Sequence, residues 1–144
     1  MRRNAALMAG LLMLIAATPL AHAQEGVPIL VQVILASNTG RGFKPPALSY
    51  TVKLLRSPYD KYSSFHLLKE ERLVLPLQRE GSVTLPGNRV LVVTPLRATG
   101  KGAEIEASIQ GYMRSKFLLR RGGTQFIGGL SEPGGDLLIA ITHE

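Results

Sequence analysis

The sequence predicts an α+β fold, mostly an antiparallel β sandwich or a partly open barrel, with one short helix near the N-terminus of the mature chain. Runs that alternate between apolar and polar residues recur at short spacing, and glycine and proline separate them, as is typical of strands joined by tight turns. A stretch with helical spacing follows the first strand, so the predicted order is β-α-β and then β hairpins. Residues 24–144 suffice for a single β-rich domain and are too few for two independent cores.

An export signal is predicted over residues 1–23. A short positive segment precedes the uncharged apolar run from Ala5 to Ala17, and Ala21-His22-Ala23 places small residues where signal peptidase needs them. A membrane-spanning helix needs about 20 apolar residues, which this run does not reach. Cleavage before Gln24 is therefore expected, and it would leave a soluble chain, without a transmembrane anchor, in the periplasm or outside the cell.

The first strand is predicted from Ile29 to Ala36. Both of its faces are apolar and rich in β-branched residues, which favours a central strand covered on both sides. The segment from Asn38 to Pro46 combines glycines, prolines and basic residues and is predicted to be an irregular basic loop. A short amphipathic helix is predicted next, over Ala47 to Arg56, with Pro58 after its end.

This helix is expected to pack on one face of the first strand. Its apolar side consists of Leu48, Val52 and Leu55. A second strand is predicted from Tyr62 to Leu68, and Leu73 to Leu77 continues its alternation beyond a charged tip at residues 69–72. If the first two strands are neighbours, they are parallel and the helix is their crossover connection.

The remainder of the chain is predicted to form hairpin strands. These are Val83 to Leu85, Val90 to Leu96, Ile105 to Ile109, Met113 to Leu119, Thr124 to Ile127 and Leu137 to Thr142. Glycine doublets at 122–123, 128–129 and 134–135 flank the last two of these strands. None leads from a strand into a helix as a phosphate loop would. They are expected to supply positive φ angles in turns and bulges.

No catalytic site is predicted, and the chain is expected not to be an enzyme. Its mature histidines are His66, interpreted as a strand residue on a solvated or half-buried face, and His143, close to a terminus that is expected to fray. Ser64 shares a strand face with His66, but the chain has no Gly-x-Ser-x-Gly elbow. No spacing of histidines and carboxylates favours a metal site, and no cofactor is expected.

The composition limits the function classes further. The 144 residues contain no cysteine, which excludes disulfide scaffolds, thiol enzymes and cysteine-based zinc sites. The formal net charge is +7, and the mature chain stays basic because only Arg2 and Arg3 leave with the leader. A basic exported domain can meet polyanions such as anionic lipid or acidic glycan.

A basic stripe is the most prominent charge feature. It consists of Arg114, Lys116 and Arg120 on one face of a predicted strand. A turn around Gly111 would set Glu106 opposite Lys116, so cross-strand charge pairs explain most of the stripe. No aromatic residue interleaves the stripe to stack on bases, and no nucleic-acid partner is expected. A remaining binding role is assigned to four basic residues, which are Arg41, Lys44, Arg120 and Arg121.

Several segments together resemble a group of small exported bacterial proteins of uncharacterised function. They are Val31 to Asn38, Tyr59 to Leu68, Leu85 to Arg89 and the tail from Gly122 to Thr142. The tail by itself also resembles the strand pair near the end of outer-membrane secretin domains. Neither resemblance implies catalytic residues.

The sequence thus predicts a non-enzymatic exported interaction or structural module, such as a subunit of a cell-envelope assembly. A β-rich domain offers sheet edges to a protein partner or to a second copy of itself. The alternative is a periplasmic domain that binds a small ligand or a polyanion through its basic surface. The two functions differ in whether binding depends on the four basic residues.

Overall fold

The computed structural model describes residues 26–54 and 61–144. Within them the chain forms β1 (Val27–Ser37), β2 (Gly42–Lys44), α1 (Leu48–Lys53), β3 (Ser64–Leu75), β4 (Gly81–Leu85), β5 (Arg89–Thr99), β6 (Gly102–Ile109), β7 (Met113–Arg120), β8 (Thr124–Glu132) and β9 (Gly135–His143). The predicted leader, and residues 55 and 56 of the predicted helix, lie outside the described residues.

The strands form two sheets, and the predicted α+β class is confirmed. One sheet has the order β2-β3-β1-β9-β8 and the other β4-β5-β6-β7, with β2–β3 as the parallel pair among otherwise antiparallel neighbours. Apolar side chains of the two inner faces pack into one core, which includes Val31, Leu91, Ile105 and Ile139. Since the two sheets share no strand among the described residues, the architecture is a sandwich rather than a partly open barrel.

Strand β1 is central, as its apolar faces predict. It pairs with β3 on one side and β9 on the other. Val31 and Val33 point into the core between the sheets, while Ile34 and Ala36 lie in a second apolar cluster that Leu48 of α1 covers. The helix therefore packs on the outer face of β1, where Leu48 is 2% exposed.

The predicted parallel pairing of the first two long strands is wrong, because β1 and β3 are antiparallel. The chain reverses between Ser37 and Gly42, where Gly40 and Gly42 have φ angles of +82° and +98° that favour glycine. The short strand β2 then pairs in parallel with the outer side of β3, and α1 connects these two strands. A helical crossover is present, but its first strand is β2 rather than β1.

The predicted charged tip at residues 69–72 is also wrong, because β3 runs through it without a break. Residues of opposite charge lie two positions apart on each face of the strand, and they pair with one another and with Glu144. Lys69 Nζ lies 3.8 Å from a Glu71 carboxylate oxygen, and Arg72 lies 3.4 Å from Glu70 and 3.1 Å from Glu144. Strand pairing with β1 continues on both sides of a bulge at Val33/Ile34, so these charges are part of the sheet.

The hairpin register and the glycine turns agree with the sequence prediction. Glu106 lies opposite Lys116, and Ser108 lies opposite Arg114. Each glycine doublet contains a residue with positive φ, at +78° for Gly122, +92° for Gly129 and +97° for Gly134. Gly129 lies at the bulge in β8, and the other two lie in turns.

Candidate functional site

The four predicted binding residues do not form one surface. Arg41 lies beside Leu35 and Ser37 at the end of β1, whereas Arg121 lies beside Val27 and Pro28 at its beginning. Between seven and ten residues of β1 separate these places, which at roughly 3.3 Å per residue is about 23–33 Å. The structure therefore divides the predicted surface into one pair of cations at each end of the sandwich.

A basic cleft occupies the first of these ends and has a volume of about 230 Å³. We define the basic cleft by Arg41, Lys44 and His66, with Ser37, Thr39, Ser64 and Gly134 also on its wall. Lys44 and His66 are partners in the parallel β2–β3 register, and this register places both residues at the cleft. His66 is exposed, as the sequence predicts.

Serine side chains hold the loop that carries Arg41. The Ser63 hydroxyl donates to the Gly40 carbonyl oxygen at 2.7 Å, and the Ser64 hydroxyl donates to the Thr39 carbonyl oxygen at 2.8 Å. The Thr39 amide in turn donates to the Ser37 hydroxyl oxygen at 3.0 Å. Satisfied loop groups fix the backbone at the edge of the cleft.

Arg41 and Lys44 differ in their pairing from several cations on the long strands of the second sheet. Arg97 donates to Glu104 at 2.9 Å, and Arg114 and Lys116 lie 3.6 and 3.9 Å from Glu106. Among residues 26–54 and 61–144, no carboxylate forms an ion pair with Arg41 or Lys44. The cleft thus brings together two cations that have no carboxylate partner in the described ranges.

A second candidate surface lies between the edge strands of the two sheets. We call it the edge groove, and it is lined by Tyr112, Met113, Ser115, Phe117, Gln125, Phe126, Ile127 and Gly128, with a volume of about 380 Å³. Strand β7 pairs only with β6, and β8 pairs only with β9, within the described chain. The Tyr112 hydroxyl donates to the Gly128 carbonyl oxygen at 2.6 Å and links the two sheets at the groove.

The predicted fraying of His143 is wrong. Its side chain is 6% exposed, and its Nδ1 donates to the Leu119 carbonyl oxygen at 3.2 Å. Its backbone is held as well, since its carbonyl oxygen accepts from the Gly122 amide at 2.6 Å and its amide donates to the Gly123 carbonyl oxygen at 3.1 Å. Pairing with β1 and the turn after β7 order this end of the chain.

Nucleophile activation by His66 has no geometric support at Ser64. The Ser64 hydroxyl donates to backbone oxygens of the preceding loop, which uses its proton for structure rather than for a hydrogen bond to imidazole.

In the described ranges 26–54 and 61–144, no three His, Asp or Glu side chains cluster as a metal site. Within the same ranges no helix has the length and apolarity to cross a membrane.

A hydrogen bond between Tyr62 and Asp136 joins the segment before β3 to the start of β9, and sequence reasoning missed it. Burial raises the pKa of Tyr62, and the hydrogen bond and charge of Asp136 raise it further, while Lys61 lowers it. Tyr62 also packs edge-on against Phe65, with ring centroids 6.3 Å apart. Its partner is 74 residues distant in the sequence, so no local pattern indicates the pair.

We expect Tyr62→Phe to lower the free energy of unfolding by about 1 kcal/mol at neutral pH, since the hydroxyl's hydrogen bond to Asp136 is lost and the ring is kept. The folded pKa of Tyr62 is raised, so its stabilising effect is complete below its unfolded pKa of about 10 and disappears as pH rises through the folded pKa. Denaturant unfolding at pH 7 to 11 measures this. A difference between the two proteins that grows above pH 10 would contradict it.

Comparison with protein-family models, curated proteins and solved structures finds no match to this chain. The functional proposal therefore depends on the two surfaces themselves. The edge groove combines open strand edges with apolar side chains, and the basic cleft combines cations with fixed loop geometry.

Proposed function

We propose that the mature chain is a non-enzymatic, exported interaction module that binds an extended segment of a partner protein in the edge groove. The observation that carries this proposal is the approach of two open strand edges, β7 and β8, across an apolar groove. An open edge offers unpaired backbone groups, and an added strand satisfies them while its alternate side chains fill an adjacent groove. The Met113, Phe117 and Phe126 side chains supply apolar contacts for such a strand.

The charges of β7 favour an acidic partner. Arg114 and Lys116 have side chains that are 74% and 61% exposed, and both pair with the same carboxylate, that of Glu106. Arg120 is exposed and has no carboxylate partner within the described ranges. We therefore propose a partner strand in which apolar residues alternate with Asp or Glu, because opposite charges across strands stabilise pairing.

The same charges oppose self-association through this edge. Two copies of β7 side by side would bring arginine and lysine close to arginine and lysine, and like charges across neighbouring strands destabilise pairing. Basic residues on an open edge are also a known device against edge-to-edge aggregation. A different protein, rather than a second copy, is therefore the proposed occupant.

The proposed location follows from the predicted leader at residues 1–23, whose charge pattern and small residues before Gln24 are typical of export. An exported module with a strand-accepting edge fits a subunit of a cell-envelope assembly. The alternative function, binding of a ligand through all four predicted basic residues, has less support because these residues lie at opposite ends of the sandwich.

Site-specific photo-crosslinking in intact cells tests the proposed interface. A photoreactive residue replaces Ser115 in the edge groove, and a control replaces Ser82, which is exposed on β4 at the opposite edge of the same sheet. We expect a crosslink from position 115 alone, to a partner segment in which acidic and apolar residues alternate. Equal crosslinks from both positions, or a crosslink only to a second copy of this chain, would contradict the proposal.

A peptide of the captured segment then tests the groove directly. Ser115→Trp places a large side chain in the groove and should weaken peptide binding about tenfold or more, while Ser82→Trp should leave it unchanged. Thermal unfolding of both variants separates blocked binding from unfolding. Unchanged peptide affinity in folded Ser115→Trp would exclude the edge groove as the interface.

A further inference from the structure

We infer that the basic cleft is a binding site for a phosphate monoester group. This site is separate from the edge groove and does not depend on the proposed partner. Arg41, Lys44 and His66 converge on one small cavity. Arginine supplies a planar fork of donors and lysine a compact positive charge, and together they match the several oxygens of a phosphate.

The fold fixes the backbone positions that carry these side chains. Ser63 and Ser64 bind the carbonyl oxygens of the loop before Arg41, and β2 holds Lys44 in register with His66. The Gly42 amide donates to the Ser63 carbonyl oxygen at 3.0 Å, so the loop is fixed on both sides of Arg41. A loop whose backbone is already fixed loses less conformational entropy on binding than a loose loop would.

The dimensions of the cleft limit the ligand. A volume of about 230 Å³ is smaller than the roughly 300–1,000 Å³ of pockets that enclose drug-sized ligands. One phosphate with a small ester group fits, and the remainder of a larger molecule would extend into solvent. Absence of a carboxylate paired with Arg41 or Lys44 in the described ranges leaves both cations available to this anion.

The opposite end of the sandwich provides an internal comparison. Lys101 and Arg121 are also exposed there, beside a wider cavity of about 540 Å³ whose wall is largely backbone and apolar side chains. The two cations stand on different turns, after β5 and after β7, and they are not register partners. This pair has the same charge as Arg41 and Lys44 and serves as a matched control.

Titration of the purified protein with inorganic phosphate, followed by amide NMR shifts, tests the site. We expect saturable shifts confined to residues 37–44, 64–66 and 134. The double variant Arg41→Gln/Lys44→Gln should weaken phosphate binding about tenfold or more, while Lys101→Gln/Arg121→Gln, with the same change in net charge, should bind like the parent protein. Thermal unfolding should be unchanged in both variants, because all four side chains are exposed.

Two further arms identify the source of the phosphate. Displacement of inorganic phosphate by glycerol 3-phosphate assigns the site to soluble monoesters. Cosedimentation with phosphatidylcholine vesicles that contain phosphatidic acid, lost in Arg41→Gln/Lys44→Gln, assigns it to a lipid headgroup. Non-saturable shifts, equal weakening in both double variants, or acetate binding as tightly as phosphate at equal ionic strength would overturn the inference.

Discussion

Leu48→Ala is expected to lower the free energy of unfolding by about 2–4 kcal/mol. Leu48 is 2% exposed and packs in the outer apolar cluster with Ile34, Phe65 and Leu138. Replacing it with alanine removes buried methyl groups and leaves a cavity that a rigid sheet cannot fill. Since small domains are stable by only about 5–15 kcal/mol, chemical denaturation should show a large loss of stability.

Leu54, at the C-terminal end of α1, provides a matched control. Leu54 follows α1 and is 59% exposed, so Leu54→Ala is the same chemical change outside the core and should alter stability by less than about 0.5 kcal/mol. Equal stability of Leu48→Ala and the parent protein, with binding of the partner lost, would mean that α1 is a docking surface rather than a structural cover. The predicted role of Leu55 lies outside the described residues, and Leu48 takes its place in this test.

Local patterns predicted those parts of the fold that neighbouring residues determine. The β6–β7 register follows from a turn at residues 110–112 and from alternation on both sides of it, since a shift by one residue would expose the apolar face. For the same reason the glycine doublets could be assigned to turns and bulges. In each of these places the deciding residues are within about ten positions of one another.

The direction of β1 relative to β3 depended on a feature without a local signal. Strand β2 has only three residues, Gly42 to Lys44, which is too short for a period-2 pattern. Its parallel pairing with β3 joins residues about 20 positions apart, and it replaces the expected parallel pairing of β1 with β3. Residues 69–72 were wrongly predicted to form a tip because charged residues are typical of turns. The partners that stabilise them in a strand, Gln32 and Glu144, are distant in the sequence.

The candidate sites show the same division. Arg41 and Lys44 could be predicted as a pair because one loop carries both, but His66 joins them only through the β2–β3 pairing. Only their charge links Arg120 and Arg121 to this pair. The charge of a residue does not show how far it lies from Arg41 in the folded chain. The edge groove could not be predicted, since Phe117 and Phe126 belong to different sheets and meet only when the sandwich forms.

Gly135→Ala is expected to destabilise the protein by about 3 kcal/mol. A Cβ atom at this position would collide with the Ala36 carbonyl oxygen of β1 and lie 3.0 Å from the Ala36 carbonyl carbon. Both contacts are with backbone, so no rotamer change relieves them, and overpacking of this kind typically costs about 1–3 kcal/mol. Either β9 moves away from β1 or the turn that contains Gly134 shifts.

Gly100→Ala is the matched control, because Gly100 also lies in a hairpin turn but has no atom of the described residues within 4 Å of its added Cβ. Its φ is ordinary, so alanine should leave stability unchanged or raise it slightly by restricting the unfolded chain. Denaturant unfolding compares the two variants, and phosphate titration adds a second measurement, since Gly134 forms part of the basic cleft. Gly135→Ala should bind phosphate more weakly even at temperatures where it is folded. If Gly135→Ala is as stable as Gly100→Ala, β9 does not approach β1 this closely. The hairpin between β8 and β9, which places Gly134 on the wall of the basic cleft, would then have a different position.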